Sequence, residues 1–256
     1  MENNLTHYSH FVEFVDVDAT QQIRLPDLLS YILLASEQGE TELGVGVDML
    51  RERYNAGWVL SRLTILLRRL PRYMDELQID TWPTRVAHGM VFREYRLRVV
   101  RAGRTIETGQ GSAVWSIIDL DNRQQSSKPF ADDLWANHFS EHTFALPRLR
   151  HPSAIPNPTH RLSHQIHYTD IDLNGHCNSS KYLQFMLNAC DDLASCAPVL
   201  MDIRFVREVH RDETVSVEVQ ATDRQTEYIL RTENGQVACT AVLTTDGTNF
   251  QIPYYI

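Results

Sequence analysis

The sequence predicts an α+β fold built from two tandem repeats, each a strand, a long amphipathic helix and about four antiparallel strands. Phe14-Val-Asp-Val-Asp-Ala-Thr-Gln-Gln22 echoes Tyr168-Thr-Asp-Ile-Asp-Leu-Asn-Gly-His176 at a constant offset of 154, the self-similarity expected of a duplicated unit. Each copy leads into a helical apolar period and then into β-type runs separated by turn residues. Between them, His151-Pro-Ser-Ala-Ile-Pro-Asn-Pro-Thr159 holds three prolines in nine residues and reads as an extended linker. The expected division is an amino-terminal repeat over 1–138, a linker over 139–160 and a carboxy-terminal repeat over 161–256.

In the first repeat Pro26 marks a helix start, and Leu28, Leu29, Ile32, Leu33 and Ser36 fall on one face. Strand-like runs follow over Trp58 to Leu70, Leu77 to Pro83, Val91 to Arg101 and Arg104 to Ile118. In the second repeat Tyr182, Phe185, Met186, Ala189, Cys190 and Leu193 recur at helical spacing, so both helices are expected to run four to five turns, roughly 25 Å. Its strands are expected over Val199 to Val209, Thr214 to Ala221, Glu227 to Thr232 and Val237 to Thr245. Ala102-Gly103 and Asn234-Gly235 are hairpin turns. Asp75-Glu76 matches Asp212-Glu213 at a smaller offset of 137, which leaves 17 extra residues in the first repeat, placed in Gly44 to Gly57.

Composition narrows the function. A chain of 256 residues buries a substantial core without staples. A net charge of −9 argues against nucleic acid, which needs a broad basic surface. Lys128 and Lys181 are the only lysines among 24 basic residues, so local basic patches are made of rigid guanidinium forks. The amino terminus shows no basic start or apolar core of a signal, and no run approaches the ~18 apolar residues of a span; the expectation is a cytoplasmic protein away from membranes. Cys177, Cys190, Cys196 and Cys239 lack CxxC spacing and read as reduced thiols.

The chemistry concentrates in Asp172, Asn174 and His176, three polar groups within five residues just before a helix. Such a set can hold and polarise a carbonyl, although a His near a helix start also serves plain capping and packing. Gly175 permits backbone geometry that a side chain would block, Asn178 or Ser179 can cap the helix, and the free N–H groups of its first turn are expected to point at whatever sits in front of His176. Cys177 adjoins His176, but neighbouring side chains diverge, so a Cys/His nucleophile is not expected. His160, His164 and His167 precede the motif in an expected strand, where their spacing puts His164 and His167 on opposite faces and argues against zinc.

The duplicated arrangement, with Asp172-x-Asn174-x-His176-x-Asn178 and Lys181-Tyr182, resembles the acyl-ACP thioesterases, a family of double hot-dog proteins in which each repeat is a long helix wrapped by a curved antiparallel sheet. The likeness covers nearly the whole chain and includes Trp58 through Arg62 and Ile79-Asp-Thr-Trp82. It implies catalytic roles for Asp172, Asn174 and His176. The family's Arg-Glu-Cys-Gly-Arg-Asp run stands here as Arg207-Glu208-Val209-His210-Arg211-Asp212, which implies the same for Glu208. Val209 occupies the position where the family often has cysteine, so water must attack. The resemblance further implies hydrolysis of fatty acyl-ACP without metal or organic cofactor. The implied partner is acyl carrier protein bearing a phosphopantetheine-linked acyl chain, with no nucleic acid or membrane, and the implied state is monomer or homodimer. Without the transit peptide of plant members, the chain looks bacterial in type. Substrate contacts are expected from Asn178, Lys181, Tyr182, Arg207 and Arg211. Glu208 is the expected base, with Asp172 as the alternative; an acyl-CoA thioesterase and a non-catalytic acyl-binding module remain open.

The first copy has Thr20 for Asn174 and Gln22 for His176, and at offset 137 Pro71 stands for Glu208. That repeat is therefore expected to bind rather than react, holding the acyl chain between its helix and sheet with Gly44 to Gly57 closing over it.

Overall fold

Alternating apolar runs pair into one continuous antiparallel sheet. The structure, a computed structural model, describes residues 4–126, 139–190 and 199–244; Lys128, Leu193, Cys196 and Thr245 lie outside them. The first repeat comprises β1 (Thr6–Phe11), α1 (Leu25–Glu42), α2 (Val47–Tyr54), β2 (Ala56–Leu67), β3 (Glu76–Ala87), β4 (Met90–Arg101) and β5 (Arg104–Asp119). The second comprises β6 (His160–Gln165), α3 (Ser179–Asn188), β7 (Val199–Phe205), β8 (Thr214–Ala221), β9 (Gln225–Thr232) and β10 (Val237–Thr244). Among the described residues the strand order is β1-β3-β4-β5-β2-β7-β10-β9-β8-β6. The second half of that order repeats the first in reverse, element for element, as a duplication predicts. Pairing of β2 with β7, from Arg62 opposite Arg204 to Leu67 opposite Val199, fuses the repeats. Bulges at Leu60/Arg62, Pro83/Arg85 and Val237/Cys239 bend and twist the strands locally.

Both helices cover one face. Pro26 sits in the first turn of α1, where its missing N–H costs nothing, and Leu25, Leu28, Leu29, Ile32, Ala35, Ser36 and Gly39 form its buried stripe. A Cβ on Gly39 would lie 2.7 Å from Arg93 Nη1, so any larger residue there would have to displace the buried guanidinium. α3 buries Tyr182, Leu183, Phe185 and Met186 and packs against α1. α3 is shorter than expected: ten residues, about 15 Å. Its end tightens into i→i+3 bonds from Ala189 N–H to Met186 O at 3.2 Å and Cys190 N–H to Leu187 O at 3.1 Å.

Hydrogen bonding also corrects the alignment of the repeats. Val12 N–H to Asp75 O corresponds to Ile166 N–H to Glu213 O, and Ile23 N–H to Pro71 O corresponds to Cys177 N–H to Val209 O. Against the offset of 154 on one side of each bond, these pairs give 138 rather than 137 on the other, so the insertion is 16 residues. Pro71 is thus the counterpart of Val209, and buried Leu70 the counterpart of Glu208. The carboxylate is still missing from the first repeat. The inserted residues form α2.

The opposite face carries polar groups that the segment from Ser140 to His151 covers. Trp82 Nε1 donates to His142 O at 2.8 Å, and Glu94 Oε2 accepts from Phe144 N–H at 3.3 Å. Asp202, fully buried, accepts from Arg62 Nε at 2.8 Å and from Leu149 N–H at 3.1 Å, pairs with Arg62 Nη2, and lies 3.2 Å from His151 Nε2. Burial pushes its pKa up, but the His151 and Arg62 hydrogen bonds and the Arg62 charge outweigh it and hold the carboxyl at about 2. A folded pKa below the unfolded value of 3.8 stabilises the fold above that pH, and the contribution is lost as pH falls from about 4 toward 2. Asp202→Ala should therefore cost about 3 kcal/mol near neutrality and flatten that acid limb, as measured by urea unfolding across pH.

Candidate active site

The motif loop is closed by its own side chains. His167 N–H donates to Asp170 Oδ2 at 2.9 Å, and His164 Nε2 lies 3.0 Å from the same oxygen. Burial raises the Asp170 pKa, yet these contacts prevail and hold it below the usual carboxylate range. The first repeat keeps the same brace, His10 Nε2 at 3.0 Å from Asp16 Oδ2. His164 and His167 do not lie on opposite faces as expected: β6 ends at Gln165, the chain turns, and the two rings touch edge to face at 5.8 Å. His164 is thereby a partner of Asp170.

Beyond this brace, Asp172 Oδ1 accepts from Asn174 N–H at 2.8 Å and His176 N–H at 3.4 Å, while Asp172 N–H donates to His176 O at 2.8 Å. Gly175 adopts φ +80° to complete the turn, a left-handed geometry that glycine takes without penalty. Asn178 is the helix cap, its Oδ1 accepting from Ser180 N–H at 2.9 Å. With Lys181 N–H bound to Asn178 O at 2.9 Å, the helix start offers fewer free donors than the sequence implied.

Glu208 approaches from the segment after β7. Two anchors flank it: Cys177 N–H donates to Val209 O at 2.8 Å, and the buried Tyr182 hydroxyl donates to Arg207 O at 3.1 Å. The Glu208 carboxylate consequently faces the motif, with Oε2 3.5 Å from His176 Nε2, and the His210 ring meets that of His176 at 5.0 Å. Burial foremost, with the Arg123 and His210 charges, lowers the His176 pKa against the opposing pull of Glu208 and Asp172. The imidazole is therefore neutral at pH 7.

Two arginines of the first repeat complete the arrangement, and sequence reasoning missed both. Arg51, on the inserted α2, donates from Nη2 to Asn174 Oδ1 at 3.1 Å. Arg123 donates from Nε to Glu208 Oε2 at 3.2 Å, pairs through Nη2 with Oε1, and places Nη2 3.2 Å from His176 Nε2. Residues 123 and 85 apart in sequence leave no local spacing signal for either pair. His176, Glu208 and His210 present possible ligand atoms within 4.8 Å of one another, but the Arg123 guanidinium already supplies positive charge at that point.

The remaining candidates divide. Asn178 and Tyr182 are engaged within the fold, and Lys181 Nζ donates to Gln184 Oε1 at 3.1 Å. Arg207 and Arg211 are exposed; Arg211 joins Tyr168, Thr169, Ile171 and Asp172 around a cleft of about 480 Å³. Cys177 is buried, and that burial, with the nearby Asp170 and Asp172 charges, pushes its thiol up to about 12. It is thus a poor nucleophile.

Comparison with known proteins agrees across the chain. Residues 3–137 match the family model for the acyl-ACP thioesterase N-terminal domain, and residues 156–246 match that for the C-terminal domain. A chloroplastic acyl-[acyl-carrier-protein] hydrolase of Cuphea viscosissima is 23% identical over 197 residues, 70% of this chain and 46% of that protein. The chain spans about half the length of the curated relatives it matches. An acyl-ACP thioesterase from Bacteroides thetaiotaomicron superposes with a TM-score of 0.81 at 21% identity, over 95% of this chain and 98% of that one. The 12:0-ACP thioesterase from Umbellularia californica gives 0.83 at 13% identity, over the same shares. The fold is the double hot-dog.

Asp172→Ala removes the acceptor for two loop N–H groups, each bond being worth about 1 kcal/mol. Hydrogen exchange at the Asn174 and His176 amides should accelerate roughly fivefold to tenfold while α1 amides keep their protection.

Proposed function

The chain belongs to the acyl-ACP thioesterase family, and from that premise we propose that it hydrolyses the thioester of fatty acyl-ACP to free fatty acid and carrier protein, with water as the attacking group. The observation that carries this reading is the Glu208 carboxylate facing the His176 imidazole across 3.5 Å, with the adjoining Cys177 thiol buried.

Glu208 takes a proton from water as the water oxygen bonds to the thioester carbon. The carbonyl π electrons move onto oxygen, and the resulting oxyanion collapses with loss of the phosphopantetheine thiolate, which recovers the proton. Asn174 orients the thioester, and neutral His176 hydrogen-bonds to water or substrate. Asp172 spends Oδ1 on two backbone N–H groups, which favours Glu208 over Asp172 as the base and gives Asp172 the task of holding the loop.

Lys181, Arg207 and Arg211 are the proposed contacts to the acidic carrier and its phosphate, since opposite charge speeds and orients docking. The first repeat, with Leu28, Leu29, Ile32 and Tyr95 between helix and sheet, is the proposed acyl-chain side, and the repeats divide at the segment 139–160. Strand pairing within one chain supplies the partner a single repeat would need, which fits a monomer. Among the described residues no helix is long and apolar enough to cross a membrane. Free buried cysteines fit a reducing compartment, and the cytoplasm is the proposed setting.

The test is turnover of purified protein on acyl-ACPs of varied length beside acyl-CoAs of equal length. Higher kcat/KM on the carrier-bound chains is expected, and Glu208→Ala should lower kcat by about 10² to 10⁴, with His176→Ala as a second loss. A wild-type protein inert toward every acyl-ACP refutes the reading. The acid limb of kcat should fall below pH 6.5, where His176 protonates.

A further inference from the structure

Arg123 reaches the site from the other repeat on a turn shaped to deliver it. Asp119 Oδ1 accepts from Asp121 N–H at 3.1 Å and Asn122 N–H at 3.2 Å, Asn122 Oδ1 accepts from Gln124 N–H at 2.8 Å, and Arg123 N–H closes on Asp119 O at 3.0 Å. Within this turn Arg123 holds φ +59°, a left-handed conformation that glycine or asparagine ordinarily fills. The turn carries the far end of the Arg123 side chain across to the second repeat. That end bridges Glu208 and His176.

A guanidinium only donates, so His176 Nε2 must accept, and the ring carries its proton on Nδ1. The fork sets the plane of the Glu208 carboxylate, yet each oxygen keeps a lone pair for water. We propose that Arg123 is a positioning residue lent by the first repeat: it orients Glu208 and commits His176 to the neutral tautomer whose Nε2 accepts. This rests on the hydrolase reading above. The charged and titratable groups facing His176 are Glu208, His210, Asp172 and Arg123; of these Arg123 and His210 oppose its protonation, and Glu208 and Asp172 favour it. Removing Arg123 therefore lets the imidazole protonate at higher pH.

Three variants test this by kcat and KM across pH, thermal midpoint, and NMR titration of the His176 ring. Glycine takes φ +59° freely, so Arg123→Gly keeps the turn and removes the whole side chain with its guanidinium, while Arg123→Gln keeps part of the stem. Arg123→Gly and Arg123→Gln should lower kcat about 10²-fold, leave KM within about twofold, and move both the acid limb and the ring's titration to higher pH. Arg123→Lys should keep the acid limb near wild type and recover part of kcat, because a point charge replaces the charge but not the fork. Wild-type kcat and acid limb in Arg123→Gly, or a loss confined to KM or to thermal midpoint, would overturn the proposal. The NMR titration needs no substrate: an unmoved ring midpoint in Arg123→Gly overturns it even if acyl-ACP is not turned over, an inertness that would count against the hydrolase reading alone.

Discussion

The ladder between β2 and β7 is the constraint on which the rest of this molecule depends. It joins two repeats into one sheet, places α1 against α3, and brings loops of the first repeat to the motif of the second. Its register is enforced from both faces. Toward the helices, Leu63, Ile65 and Leu67 meet Ile203, Met201 and Val199 in the core. Away from them, Arg62 stands directly opposite Arg204, a like-charge pairing that alone would be unfavourable, and Asp202 on the diagonal neutralises it. A slip by one residue would bury those charges among the leucines.

On this shared frame the repeats have kept their backbone and diverged in chemistry. The His–Asp brace recurs at the same distance in both, His10 with Asp16 and His164 with Asp170. Gln21 holds φ +64° where Gly175 holds φ +80°, and Met74 matches Asp212 at φ +69° and φ +68°. A glutamine in a glycine conformation means that the turn is imposed by its surroundings. At the reactive positions the first repeat presents Thr20, Gln22 and Leu70 against Asn174, His176 and Glu208. What it contributes instead comes from elsewhere, from the inserted α2 and from the turn after β5.

Burial first, with charge placement second, explains why a neutral imidazole persists beside a carboxylate. A lone Glu208 near His176 would draw a proton onto the ring, whereas burial disfavours the charged ring and Arg123, which answers the carboxylate, adds to the effect. The same exclusion of water keeps Cys177 a thiol. The ionisation of each group at this site follows from how many neighbours share its space.

The repeat, the helix stripe of α1, a cap at Asn178 or Ser179 and the Asp172-Asn174-His176 run were legible in the sequence because each is decided by residues within a turn or two of one another. Glu208 was reached only through family resemblance, since nothing local relates it to His176. The length of α3, the true offset between the strand halves, and the arrival of Arg51 and Arg123 were decided by tertiary structure. Periodicity and capping are short-range and leave their mark on neighbouring letters. A guanidinium that pairs with a carboxylate 85 residues away is positioned by sheet register, which emerges only when the chain has closed on itself.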